Sequence, residues 1–397
     1  MKTALLTSAA LLLAAGSVAL PSAALAEGAL SDGIILNMRL RYETVDQDGL
    51  AEDASAFTLR TRFGYQTPRR HGLSLLVEGE NILHLVDDFA DTVTPRPGYP
   101  VVADPEATEI NRVQISWQGE NGTGVTAGRQ WLALDDQRFV GPVGFRQNSQ
   151  SFDALRLTSG TLWPVAFDYA YIDRVHRIFG DDHPLGEFDS ASHIGEARID
   201  TPLGQLAGFA LLLDFDNAPA LSSQTLGLRL TGRHEAVAYR FEYARQSDYA
   251  GNTGDFDLDY MRAEASYEAD RFSIGGGVEI LGGDGVAGFQ TPLATLHKFQ
   301  GAADVFLTTP AEGMRDLHLR GSWSFPDAAP GPVSLGFALH DFASDDGDID
   351  YGSELDLIAG LSLGERWSAE AKAAFFDGDA SGPADRNKIW LSLVFDY

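Results

Sequence analysis

Two pairs of arginines, Arg39 with Arg41 and Arg60 with Arg62, are each spaced two residues apart with few carboxylates beside them. In an extended segment residues i and i+2 point the same way, so each pair sets two guanidinium groups on one face. A guanidinium is a permanently charged planar fork that matches a carboxylate or phosphate in two-point contact. Rings of such cations are the usual lining of an anion-passing pore. The same alternation places Arg112, Arg129, Arg156, Arg198, Arg229, Arg240, Arg262 and Arg320, with Lys372 and Lys388, opposite the apolar residues of their segments. Glu78, Glu80, Glu196, Asp200, Glu242, Glu264, Glu354, Asp356 and Glu370 share that face. An arginine there can brace the wall in a ladder with these acids and still leave N–H groups free for a solute. The candidate solute-lining residues are Arg39, Arg41, Arg60, Arg62, Arg112, Arg129, Arg156, Arg240, Arg262 and Arg320.

Catalytic chemistry finds less support. Nine histidines are scattered, with no Gly-x-Ser-x-Gly elbow and no His-Glu-x-x-His. His340–Asp341 and Asp182–His183 fall near what would be an outer rim, the place for the rim site of a barrel protease or lipase. Two adjacent residues do not make such a site, and no catalytic residue, cofactor or metal is assigned. The run Asp346, Asp348, Asp350 lacks the spacing of an EF-hand loop and reads as a solvated connection. Gly275–Gly277 and Gly282–Gly285 precede no helix and are not phosphate loops.

The elements that must carry these side chains are strands. At the C-terminus Ile389, Leu391, Leu393, Phe395 and Tyr397 alternate with Trp390, Ser392, Val394 and Asp396. A period of two with so apolar a face suits a strand whose outer side meets lipid. A free apolar edge in water would instead invite aggregation. Eighteen such segments are read, starting near Gly33, Ala54, Gly72, Glu109, Gly124, Gln150, Trp163, Ser192, Gln205, Ser223, Glu235, Leu258, Arg271, Arg315, Val333, Ser353, Trp367 and Lys388. Short connections (67–71, 120–123, 201–204, 231–234, 268–270, 364–366) alternate with long ones (87–108, 135–148, 176–191, 282–313, 377–387). The prolines beyond Pro21 fall in connections or at strand starts, where a missing N–H breaks no ladder. The expected fold is all-β: a transmembrane antiparallel up-and-down β-barrel of about 18 strands, with short periplasmic turns and long extracellular loops. That size leaves an aqueous lumen.

Residues 1–26 read as a signal peptide, with Lys2, an apolar stretch from Ala4 to Leu20 and a small-x-small site at Ala24–Ala26. Residues 27–397 would form one barrel domain in the bacterial outer membrane. The chain has 29 Lys and Arg against 57 Asp and Glu, a net charge of −28, which argues against nucleic acid as a partner. With no cysteine there is no disulfide to support the fold, and the sheet must do it. Expected partners are outer-membrane lipid and lipopolysaccharide, an anionic saccharide or small solute, and the outer-membrane assembly machinery acting through the C-terminal strand. Asp87–Asp88, Asp181–Asp182, Asp345–Asp346 and Asp377 with Asp379 make the outer rim acidic.

Three stretches carry a family likeness: Tyr99 to Pro105 followed by Glu109 and Asn111–Arg112; Gly128–Gln130 leading into Asp135–Gly141 and Gly144–Asn148; and Thr291–His297 with Phe299–Gly301. Together they resemble the alginate-export family of outer-membrane proteins. The resemblance implies an eighteen-stranded monomeric barrel whose arginine-rich lumen passes an acidic polysaccharide or smaller anions. The family's type member also plugs its pore with a long periplasmic turn and an outer loop. Here the periplasmic turns read as short, and 87–108, with Pro95, Pro97, Pro100 and Pro105, is the connection that could fold inward and narrow the channel.

Overall fold

The structure, a computed structural model, describes residues 33–160 and 164–397. The stretch read as a signal peptide, and Trp163, lie outside the described residues. The strands are β1 (Ile34–Gln47), β2 (Ala54–Gln66), β3 (Leu73–Asp88), β4 (Ala107–Gln118), β5 (Gly124–Gln130) and β6 (Ser151–Thr158). They continue with β7 (Val165–His176), β8 (Glu187–Thr201), β9 (Gly204–Leu213), β10 (Ser223–His234), β11 (Val237–Asp248) and β12 (Asp257–Glu268). The last six are β13 (Phe272–Leu281), β14 (Met314–Phe325), β15 (Val333–Ala343), β16 (Asp350–Leu363), β17 (Trp367–Gly378) and β18 (Arg386–Asp396). Each pairs antiparallel with its neighbours in sequence, and β18 closes on β1 from Asn37 opposite Asp396 to Gln47 opposite Arg386. Closure leaves no free edge, so the apolar C-terminal strand is safe from edge-to-edge association.

The two faces separate as the alternation requires. On β18, Ile389, Leu391 and Leu393 are 43%, 52% and 37% exposed, whereas Lys388, Trp390 and Ser392 between them are 9% exposed or less. The outer face of the other strands is likewise apolar, as at Leu75 and Val77 on β3, Leu226 and Leu228 on β10 and Leu317 and Leu319 on β14. Most exposed aromatics gather at one level, where the strands meet the short turns (Tyr65, Trp117, Phe167, Tyr267, Phe272, Trp323, Phe325, Trp367 and Tyr397), while Phe241, Tyr243 and Phe375 lie farther along the outer face. Several meet across neighbouring strands, as Trp367 does Phe395 with ring centroids 4.9 Å apart. Such a belt with an aromatic girdle is the outer surface of a barrel that spans a bilayer. No helix among the described residues is long and apolar enough to cross a membrane.

At the other end lie connections 48–53, 89–106, 131–150, 177–186, 214–222, 249–256, 282–313, 344–349 and 379–385. Two of these, 48–53 and 344–349, are as short as turns. Residues 231–234, read as a turn, instead complete β10, and 176–191 contracts to 177–186 because β7 and β8 extend past the apolar belt.

Two of the long connections, 131–150 and 282–313, fold into the lumen and zip together. Val140 and Leu293 form a parallel bridge, and Gly141 N–H donates to the Leu293 carbonyl at 2.9 Å. Gln150 Nε2 donates to both Gly141 and Leu293 carbonyls at 2.9 and 3.0 Å. Leu132, Leu134, Phe139 and Val140 pack there with Phe209, Tyr260, Phe289 and Leu293, so the dry core of this barrel sits inside its lumen. Connection 89–106, which could have folded inward, reaches the lumen through Asp104. That connection packs Phe89 and Val102 on Val45, Ala54 and Ala56 at the rim. It has too few large apolar side chains to hold a place in the lumen, which 131–150 and 282–313 supply.

Candidate functional site

The lumen arginines fall into three groups that differ in what they meet. The first is the pair set on β1 and β2, where Arg39 and Arg60 are directly opposite across the strands. All four side chains are buried beneath loop 131–150. Arg39 donates to the Gly144 carbonyl at 3.0 Å, to Gln147 Oε1 at 2.9 Å and to the Arg146 carbonyl. Arg41 donates to the Phe145 carbonyl and lies 3.6 Å from Asp104. Arg62 pairs with Glu80 and donates to Ser149 Oγ. Arg60 donates to Asn37 Oδ1, and its Nε has no hydrogen-bond partner. Among the described residues neither Arg39 nor Arg60 forms an ion pair. Uncharged carbonyl oxygens, of Gly144, Arg146, Gln147 and Asn37, take the place of a direct carboxylate partner.

The second group is a track of partly open arginines. Arg112 on β4, Arg129 on β5, Arg156 on β6 and Arg198 on β8 have side chains 19%, 23%, 31% and 37% exposed. Each is held by one carboxylate: Arg112 by Glu78 at 2.7 Å, Arg129 by Asp153 at 3.0 Å, Arg156 by Asp168, and Arg198 by Glu196 at 3.3 Å. Exposure leaves their remaining N–H groups facing the open part of the lumen.

The third group is structural. Arg240 and Arg262 are 1–2% exposed and grip loop 131–150. Arg262 reaches Asp136 at 2.7 Å and Glu264 at 2.9 Å, while Arg240 meets Asp135, Asp136 at 3.5 Å and Glu242 at 3.2 Å. Arg229 joins the same network through Glu196, Glu242 and Asp135. Arg320 stands apart, 3.8 Å from Glu264. Burial works against the Asp136 charge, but Arg262 and Arg240 outweigh it and hold the carboxyl below its usual range.

Sequence reasoning missed Arg138, Arg146 and Asp304, which anchor the inward loops, and gave His297, Lys372 and Lys388 no anchoring role. Arg138 bonds Glu279 of β13 and Thr291 Oγ1. Arg146 reaches Asp304 at 2.7 Å and Glu43 at 3.4 Å, and Lys388 meets Asp304 at 3.1 Å. His297 stacks on Phe145 with centroids 3.3 Å apart; its Nδ1 is 2.7 Å from Asp304 and its Nε2 2.7 Å from Lys372 Nζ. Burial pushes the His297 imidazole down to about 3, with Asp304 opposing and Lys372 assisting. Gly301 approaches the wall where a Cβ would lie 2.3 Å from Glu354 Oε2, and its φ of +80° also favours glycine. The available signal was apolar residues, Leu132, Leu134, Phe139 and Val140, in a stretch assigned to solvent.

The proposed rim dyads do not assemble. His340 points into the wall and pairs with Asp316 at 2.9 Å, while Asp341 faces outward. His183 Nδ1 accepts from the Leu185 N–H in its own loop. Asp346 Oδ1 accepts from Ser344 Oγ at 2.6 Å and the Asp348 N–H at 3.2 Å, as a turn does.

No family model matches the sequence, and no curated protein matches it. Solved structures do match the fold. The chain is similar to OccAB4 of Acinetobacter baumannii at TM-score 0.68 and 16% identity, covering 92% of this chain and 97% of that one. OccK9 (OpdG) of Pseudomonas aeruginosa gives TM-score 0.68 at 14% identity, with 92% and 98% covered. OccK2 (OpdF) of the same organism, solved in complex with glucuronate, gives 0.62 at 14% identity, with 92% and 99% covered. What they share with this chain is the porin-type barrel of eighteen antiparallel strands, closed and spanning the full described sheet. The narrower likeness to the alginate-export family rests on the three sequence stretches alone.

Proposed function

We propose that the protein is an outer-membrane channel for the passive passage of small anionic solutes, carboxylates among them. The observation that carries this reading is the cross-strand pair Arg39 and Arg60, cations without an ion-pair partner among the described residues. The open track of Arg112, Arg129, Arg156 and Arg198 extends the same charge along the wall. The solute would move down its gradient with no chemical step, guided by the lumen field. A uronate-sized acid suits the lumen better than an alginate-like polymer, because two zipped loops fold into it. The likeness in fold to a barrel solved with glucuronate favours the same size. In this reading a single chain sits in outer-membrane lipid beneath lipopolysaccharide, with its short turns in the periplasm.

Planar bilayers under a salt gradient test it. The expected reversal potential favours chloride over potassium, and Arg60→Gln lowers that preference without changing the barrel's gel mobility. Vesicle uptake should rank glucuronate above a neutral sugar of equal size and above a cationic one. A cation-selective wild-type current would overturn the reading, and turnover of a peptide or ester without conductance would favour a barrel enzyme.

A further inference from the structure

A second cluster in the lumen wall has the opposite sign. His318 on β14 and His340 on β15 are register partners, and Asp316 lies two residues from His318 on the same face. All three side chains are at most 3% exposed. His340 Nδ1 is 2.9 and 3.0 Å from the two Asp316 oxygens. His318 Nδ1 is 3.6 Å from Asp316 Oδ2 and is buried without a hydrogen-bond partner. The far nitrogens face other carboxylates: His318 Nε2 lies 3.0 Å from Glu264 Oε1 and His340 Nε2 3.9 Å from Asp356 Oδ2.

Both rings therefore turn Nδ1 to one shared carboxylate and Nε2 to an outer one. For His318 a proton on Nε2 is stabilised by Glu264 and leaves Nδ1 as a lone pair, whereas His340 Nδ1–H donates to Asp316 and would release that proton to an ion bound in its place. For His318 that lone pair is aimed at the anionic Asp316, an arrangement that repels unless a cation lies between. An imidazole whose outer N–H meets a carboxylate while its inner nitrogen is free is the disposition of a metal ligand. Candidate ligand atoms of the three residues lie within 4.8 Å of one another. The local charge asks for the same thing. Among the described residues Asp316, Glu354 and Asp356 pair with no lysine or arginine, and buried Glu354 Oε2 and Asp356 Oδ1 lack hydrogen-bond partners.

We propose that Asp316, His318 and His340 bind one divalent first-row transition-metal ion. Two imidazoles and one carboxylate, with positions left open for water, suit zinc, nickel, copper or iron rather than calcium or magnesium, which prefer all-oxygen shells. Glu264 acts as a positioning residue for the His318 ring. The ion lies beneath loop 282–313, whose Ala302 and Ala303 amides bond Asp356 at 3.1 Å and Glu354 at 2.7 Å. It ties β14 to β15 at the place where that loop rests on the wall.

The test uses the full barrel in detergent, dialysed against Ni²⁺ or Zn²⁺ and then analysed for bound metal. The wild type retains one ion per chain, and excess Ca²⁺ does not displace it. His318→Gln and His340→Gln each weaken binding at least roughly tenfold. A second group, His176 with Asp181 and Glu187, lies at the rim, and His176→Gln should leave retention unchanged. If a wall variant fails to fold, Co²⁺ bound to the wild type supplies an independent readout, a visible ligand-field band characteristic of nitrogen ligands. Three results overturn the proposal: no stoichiometric ion in the wild type, equal retention by the double histidine variant, or loss of the ion in His176→Gln. None of them touches the channel reading, which depends on ion selectivity.

Discussion

Replacing Arg138 by methionine should open the lumen without unfolding the barrel. Arg138 is 1% exposed, bonds Glu279, donates to Thr291 Oγ1 at 2.9 Å and lies 4.9 Å over the Phe299 ring. All of these contacts hold loop to loop or loop to wall, and none is part of the strand ladder. Burial works against the Arg138 charge but Glu279 outweighs it, so its pKa is raised. In Arg138→Met, Glu279 keeps Tyr260 Oη at 2.6 Å and Gln300 but has no cation among the described residues. Stranding one member of a buried ion pair costs about 3–5 kcal/mol. At about 1.4 kcal/mol per factor of ten, loop docking then weakens by two to three and a half orders of magnitude.

Single-channel recording reads that shift as larger and noisier conductance, and limited proteolysis reads it as new cuts within 131–150. Adding Glu279→Gln removes the stranded charge and should restore most of the docking, because replacing both partners of a buried pair is far milder than removing one. Unchanged conductance and unchanged proteolysis in Arg138→Met would refute the argument. So would loss of the folded barrel, since the loops would then be part of what makes it fold.

The belt and the loop lock give two further expectations. Leu228, 59% exposed on the outer face of β10, should tolerate Ala but not Arg; Leu228→Arg costs roughly 2–4 kcal/mol in a lipid-based unfolding titration. An effect below about 1 kcal/mol would mean that this face does not meet hydrocarbon. His297 is surrounded by Asp304 of its own loop, Lys372 of β17, Arg146 of the other loop, and the Phe145 and Trp390 rings. Its docked pKa of about 3 lies below the ordinary value, so docking gains from the neutral ring at and above the ordinary value and loses stability as pH falls from there towards 3. Conductance should therefore rise from about pH 7 to about pH 5 in the wild type and stay level in His297→Gln; a flat wild-type profile would count against this lock.

The strand count and nearly every strand start were legible because lipid on one side and water on the other enforce a period of two. The exceptions share one cause. β8 starts at Glu187 rather than near Ser192, and β16 at Asp350 rather than near Ser353, because both run beyond the apolar belt. There Asp189 and Asp350 no longer alternate against apolar neighbours. The candidate arginines were legible as a face but not as roles. Whether an arginine ends bare, paired or buried depends on Asp104, Asp135, Asp136 and the 144–149 carbonyls, which come from connections without any period. An excess of large apolar residues in 131–150 and 282–313 was the one trace of their inward fold.

Pairing, not number, decides what the lumen presents to a solute. An arginine held 3 Å from a carboxylate acts as a dipole at a distance, whereas Arg39 and Arg60 have no ion-pair partner among the described residues. The net charge of −28 therefore says little about selectivity, because much of the acid lies on exposed loops such as those carrying Asp53, Asp182 and Asp348. Salt separates the two contributions. Raising the salt from about 0.1 M to about 1 M shortens the screening length from roughly 10 Å to roughly 3 Å. Exposed acids at the mouth lose their reach, while buried charge beneath the loops is screened much less. The anion preference should then hold or rise with salt. A preference that collapses towards unity would place the selectivity in exposed charge and remove Arg39 and Arg60 from its cause.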